Sequence, residues 1–105
     1  MNPFKKMLRK NGTPQQYGLA WYKSDQWRRL REVSSDAEDM EARYEDWRQL
    51  AEEKLAELRK LGIQVRKVEV DVNELLTWCG IHGLPVNSET RAQFVTNKLQ
   101  QSESG

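Results

Sequence analysis

The feature that most constrains this chain is an amphipathic run with helix signals at both ends. Ser35-Asp36-Ala37-Glu38 has the form of a capping box, in which the serine oxygen accepts an orphan backbone N–H and the glutamate reaches back to another. Asp36, Glu38, Asp39 and Glu41 crowd the positive end of the helix dipole, and Arg59 and Lys60 stand at its negative end. Gly62 supplies the left-handed residue that closes a helix. Between these signals Met40, Tyr44, Trp47, Ala51, Leu55 and Leu58 recur at helical spacing as one apolar stripe. The pattern predicts a helix over residues 36–61, and its stripe must be covered by the flanking segments.

Those segments alternate in type. Residues 17–22, YGLAWY, form a short apolar run suited to a strand. Ser24 offers an N-cap, and residues 26–33 read as a short helix with Trp27, Leu30 and Val33 on its apolar side and Arg28, Arg29 and Arg31 elsewhere. Residues 63–70, IQVRKVEV, are β-rich. Ile63 and Val65 point to one side, Val68 and Val70 to the other, which requires a bulge or a strand covered on both faces. That strand pairs either with residues 17–22 or with its own counterpart in a second copy. Asp71 caps the next helix with Glu74 as reciprocal partner, and Leu75, Leu76, Trp78 and Cys79 give its buried side. Gly83 ends it and Pro85 forbids continuation. Asn87 or Ser88 then caps a last helix over residues 88–100, with Ala92, Phe94, Val95 and Leu99 apolar. The phrases QWRRLRE (26–32) and DWRQLAE (46–52) echo one another because each helix needs a tryptophan three residues before a leucine to bury one face.

The expected fold is α+β and mostly helical, in the order β-α-α-β-α-α, with a small two-stranded sheet packed on one long helix. Residues 1–16 are expected to be a basic flexible tail, 17–100 a single compact domain and 101–105 a polar tail. A chain of 105 residues supports one core. Its 37% hydrophobic content is low, but four tryptophans, three tyrosines and two phenylalanines give that core bulky material. No apolar run approaches the roughly 20 residues that span a bilayer. No apolar stretch follows Lys10, so no secretory signal is expected. A single cysteine cannot form an internal disulfide, and the expected location is cytoplasmic.

Charge is unevenly spread. Residues 1–31 carry eight Lys/Arg and one acid, residues 32–58 three Lys/Arg and ten acids, yet the whole chain is +1. The two blocks face each other within the fold or between copies, or the basic block meets an external nucleic acid or membrane surface. Within it, Lys5, Lys6, Arg9 and Lys10 surround Phe4, Met7 and Leu8, which share one helical face until Asn11-Gly12-Thr13-Pro14 stops the pattern. With Arg28, Arg29 and Arg31 they are the candidate binding residues. Trp21, Tyr22 and Trp27 interleave with them as a base-stacking surface would, but Trp27 has core spacing, and the pI near 7.8 is low for a nucleic-acid domain.

The stretch TWCGIHGLP (77–85) holds the only cysteine and the only histidine. Its Trp-Cys-Gly opening resembles a thioredoxin-like redox motif, with His82 where the second cysteine would stand. That motif needs a helix N-terminus to lower the thiol pKa, whereas Cys79 falls in the last turn of a helix that begins at Asp71. Two ligands are too few for a structural zinc. Glu38, Glu41, Glu45 and Glu52 read as a solvated helix face. With no Gly-rich phosphate loop, nucleophile elbow or HExxH, neither catalytic residues, a metal site nor a cofactor is assigned.

The phrases LAWYKSDQWRRL, EDW, AEEKLAEL and VEVDVNELLTWC make residues 19–99 resemble a small family of uncharacterised bacterial proteins. The resemblance implies a compact α+β domain that starts near residue 17, and no functional residues. The expected function is therefore a non-catalytic interaction or adaptor protein that meets a protein partner or a second copy. A nucleic-acid-associated regulator using the basic front is the alternative, and a small enzyme centred on Cys79 and His82 the third.

Overall fold

The computed structural model describes residues 16–104. The chain is α+β, and its order is β1 (Gln16–Trp21), α1 (Ser24–Val33), a 3-10 turn (Ala37–Asp39), α2 (Tyr44–Lys60), β2 (Gln64–Glu69), α3 (Val72–Ile81) and α4 (Ser88–Ser104). The two strands pair in parallel, with Gln16 opposite Gln64 and Trp21 opposite Glu69. Parallel pairing needs a long crossover, which α1 and α2 provide.

Of the two options for the ladder partner of β2, the strand of the same chain is the one seen. The phase change in residues 63–70 is explained by cover on both faces. Val65 packs with Tyr17, Leu55, Leu58 and Ile63 on the α2 side, while Val68 and Val70 belong to the main core around Leu30, Leu75 and Val95. The sheet thus packs on the long helix α2, as expected, and its other face is covered by α4. Gly18 is what lets α4 approach: a Cβ there would stand 2.5 Å from Val95 Cγ1 and 3.0 Å from Val68 Cγ2.

The predicted helix over 36–61 begins eight residues late. Its local capping box loses to partners distant in sequence. Arg91 donates two parallel hydrogen bonds to the Asp36 carboxylate, at 2.9 and 3.0 Å, and the Ser88 N–H donates a third. Ser35 donates both its N–H and its hydroxyl to the Val86 carbonyl. The Glu41 carbonyl, which a helix would have offered to residue 45, instead accepts the Trp27 indole N–H at 3.1 Å. Residues 37–39 therefore form only a short turn, and α2 starts at Tyr44, where Arg43 is the N-cap without a side-chain cap.

Ser24, expected to cap α1, is instead its first residue, and Lys23 stands at the cap without a side-chain bond; the closing glycines follow the sequence. Ile63 N–H reaches the Leu58 carbonyl and Gly62 N–H the Arg59 carbonyl, with Gly62 at φ +83°. The same pair of bonds closes α3, from Leu84 to Cys79 and from Gly83 to Gly80, with Gly83 at φ +65°. Asp71 caps α3 by accepting from Glu74 N–H, but the Glu74 side chain turns to Lys98 instead of reaching back. Asn87 caps α4 in a reciprocal pair with Thr90. That helix continues through Ser104, so the expected polar tail from residue 101 is helical as far as residue 104.

Two substitutions test this account. Asp36→Asn should cost about 3 kcal/mol, because it strands a largely buried guanidinium. Arg91 holds the Asp36 carboxyl below its ordinary value of 3.8, so the pair's contribution is complete well above that value and is lost as pH falls from there through the lower folded-state value. Urea denaturation at pH 7 and at pH 3 should show a smaller deficit of the variant at the lower pH. Gly18→Ala should destabilise by about 1–3 kcal/mol through overpacking. Val95→Ala should relieve part of that cost in the double variant, a coupling that two independent sites would lack.

Candidate functional site

A two-stranded sheet has two outer edges, and this chain treats them differently. In a parallel ladder, alternate residues turn their backbone groups toward the partner. Val70 N–H donates to the Trp21 carbonyl, which sets the alternation: Trp21 and Leu19 face β2, while Gly18 and Ala20 point their N–H and C=O outward. No hydrogen bond among the described residues uses these outward groups. On β2 the outward groups belong to Val65, Lys67 and Glu69. There Arg59 donates to the Val65 carbonyl, and the exposed Arg66, Lys67 and Glu69 guard the strand. Charged side chains of this kind discourage pairing. The β1 edge, Tyr17-Gly18-Leu19-Ala20, has no charge at all.

Grooves of about 430 and 330 Å³ flank the free edge and share Leu19, Ala20 and Trp47. The first runs along α2 past Leu50, with Glu53, Lys54 and Glu57 on its rim. The second lies between α4 and the segment before α2, walled by Met40, Ala92 and Val95, with Asp39 and Glu41 on its rim. Leu50 is 51% exposed although its counterpart in the QWRRLRE echo, Leu30, is fully buried. The echo thus holds for its tryptophans, whose rings stack 5.2 Å apart, and fails for its leucines. That failure is a signal of the edge that sequence reasoning missed.

The floor beneath is aromatic. Tyr22, Trp27, Tyr44 and Trp47 pack as one aromatic cluster, and the Tyr44 hydroxyl donates to the Tyr22 carbonyl at 2.9 Å. Burial pushes the Tyr22 phenol up to about 12; the Arg91 charge opposes that shift and the Asp36 charge adds to it. Lys67 Nζ lies 4.2 Å from the Trp21 ring centre and pairs with Glu52 on α2.

The residues singled out from the sequence are placed as follows. Trp27 is buried at 3% exposure, so it offers no stacking face. Arg28 and Arg29 are exposed, with Arg28 near Glu32. Arg31 is half-buried, and its Nε has no hydrogen-bond partner among the described residues. Lys5, Lys6, Arg9 and Lys10 lie outside the described residues. Cys79 is 2% exposed within α3, while His82 is exposed at the helix end with its ring 4.7 Å from Trp78. The thiol and the imidazole therefore share no accessible site. Among the described residues no group of three His, Cys, Asp or Glu is placed to hold a metal.

A further cleft, of about 560 Å³, lies between α3 and α4 over Trp78, Ile81 and Phe94. Its charged side chains are already engaged, Glu74 with Lys98 and Asp71 with the start of α3. It lies between two helices and presents no strand edge.

Comparison of the chain with protein-family models, with curated proteins and with solved structures gives no match. Of the residues that carry the sequence resemblance, Trp21, Tyr22 and Trp47 pack together and Trp78 and Cys79 adjoin on α3, while Glu45 and Asp46 are exposed.

Burial makes a kinetic prediction for Cys79. A thiol reagent should label the folded protein at least about a hundredfold more slowly than the protein in denaturant, since labelling then waits on opening of the core. Equal rates in both would contradict the packing of α3.

Proposed function

We propose that this is a non-catalytic interaction protein that accepts an extended segment of another polypeptide along the free edge of β1. The observation that supports it is the uncharged edge with outward N–H and C=O groups at Gly18 and Ala20, set between two apolar-floored grooves. Strand addition uses those two elements: main-chain hydrogen bonds hold the segment, and alternate side chains enter pockets on either face. A second copy adding its own β1 is one form of such a contact. Among the described residues the nucleic-acid reading is left with Arg28 and Arg29 on the surface but no aromatic platform beside them, and the enzyme reading with a buried thiol.

No helix among the described residues is long and apolar enough to cross a membrane. We place the protein in the cytoplasm on the single unpaired cysteine.

Selection from a displayed library of extended peptides tests the reading. Binders should carry apolar residues at alternate positions and shift the amide resonances of Gly18, Leu19 and Ala20. Ala20→Pro removes one outward donor while leaving the β2 ladder intact, and should weaken binding about tenfold. Leu50→Asp should weaken it as well, through the α2 groove. Binders that map to the α3–α4 cleft, or that ignore both variants, would refute the proposal.

A further inference from the structure

We propose that the segment accepted by the free edge of β1 is basic as well as apolar: a strand of another polypeptide on which lysine or arginine alternates with an apolar residue along each face. This rests on the reading of that edge as a strand-accepting surface, and it names the chemistry of the partner.

The side chains of an added strand divide between the two grooves, because opposite residues on neighbouring strands share a face. Tyr17, Leu19 and Trp21 turn toward α2, while Gly18 turns toward α4 and Val95. A partner residue opposite Leu19 therefore enters the groove beside Trp47 and Leu50. One opposite Gly18 enters the groove walled by Met40, Ala92 and Val95. Both positions call for an apolar side chain.

The next position along each face reaches a rim. α2 meets Trp21 at Trp47 and Tyr17 at Leu55 and Leu58, so Glu57 stands toward the Tyr17 end of the edge. On the other side the Glu41 carbonyl holds the Trp27 indole, which packs on Tyr22, so Asp39 and Glu41 stand toward the Ala20 end. Asp39, Glu41, Glu53 and Glu57 line the grooves, and none of them is in an ion pair among the described residues. Arg91 is committed to Asp36, which leaves Lys54 as the one uncommitted cation among the described residues of the two grooves. This surplus of negative charge is what a cationic partner complements. Lysine and arginine suit both parts of the site, since their aliphatic stems pack on apolar surface while the charged head stays in water. A second copy offering its own β1 would leave the acids unanswered, because Gln16–Trp21 carries no charge.

Two capped peptides, Lys-Lys-Val-Val-Lys-Lys-Val-Val and Glu-Glu-Val-Val-Glu-Glu-Val-Val, test this on the full-length protein. The lysine peptide should shift the Gly18, Leu19 and Ala20 amide resonances. It should bind at least about tenfold more tightly than the glutamate peptide at low salt, with the gap narrowing as salt is raised. The whole chain carries a net charge of only +1, so the preference has to come from local acids. Substituting Asp39→Asn, Glu41→Gln, Glu53→Gln and Glu57→Gln together should remove the lysine peptide's advantage. The circular dichroism should stay that of the wild type, since no ion pair is lost. An advantage that survives the four substitutions would overturn the proposal. Equal affinities, or a tighter glutamate peptide, with the same three amides shifted would overturn it too and leave the edge standing as strand-accepting. So would an edge closed by a second copy at doubled mass. If neither peptide nor any selected binder shifts those amides, both readings fall.

Discussion

The pair between Asp36 and Arg91 decides the shape of the upper half of this molecule. It joins the segment after α1 to the first turn of α4 across 55 residues of sequence, with two short parallel hydrogen bonds and side chains only 12% and 19% exposed. Ser34 accepts a further bond from the same guanidinium, and the Asp36 carboxylate also receives the first N–H of α4. A charge-assisted bidentate pair that is largely out of water outweighs the roughly 1 kcal/mol a helix N-cap offers. Residues 35–43 consequently leave the helix they would otherwise start. Met40 is free to wall one groove, and the Glu41 carbonyl is free to receive Trp27.

The sheet that results is the smallest that can be parallel, and it survives because both faces are covered. Its unequal edges are the feature on which the proposed function rests. A protein with no use for an exposed strand can blunt it, as β2 does with Arg66, Lys67 and Glu69. β1 is left uncharged beside a half-exposed Leu50, over an aromatic cluster that keeps the strand from yielding. Such an edge is an aggregation hazard unless something covers it.

The stretch that looks most like chemistry serves structure instead. Gly83 and Leu84 close α3 on the carbonyls of Gly80 and Cys79, which sets Cys79 in the core and His82 outside it. A motif of reactive residue types at the C-terminal end of a helix lacks both the dipole and the access that a thiolate nucleophile needs.

The sequence alone determined the element types and their order, the closing glycines at 62 and 83, the cap at Asp71, and the core identity of Trp27, Leu55 and Phe94. Each of these is set by groups a few residues apart, so local spacing suffices to read them. It also reduced the phase change in residues 63–70 to two alternatives. Only the tertiary structure decided where α2 begins, because a capping box reads as one wherever no stronger partner stands nearby, and Arg91 is invisible from residue 36. Only the tertiary structure revealed the free edge. Which backbone groups of Gly18 and Ala20 face outward depends on the register with β2. The exposure of Leu50 depends on where the sheet stops, and no periodicity in the chain encodes either.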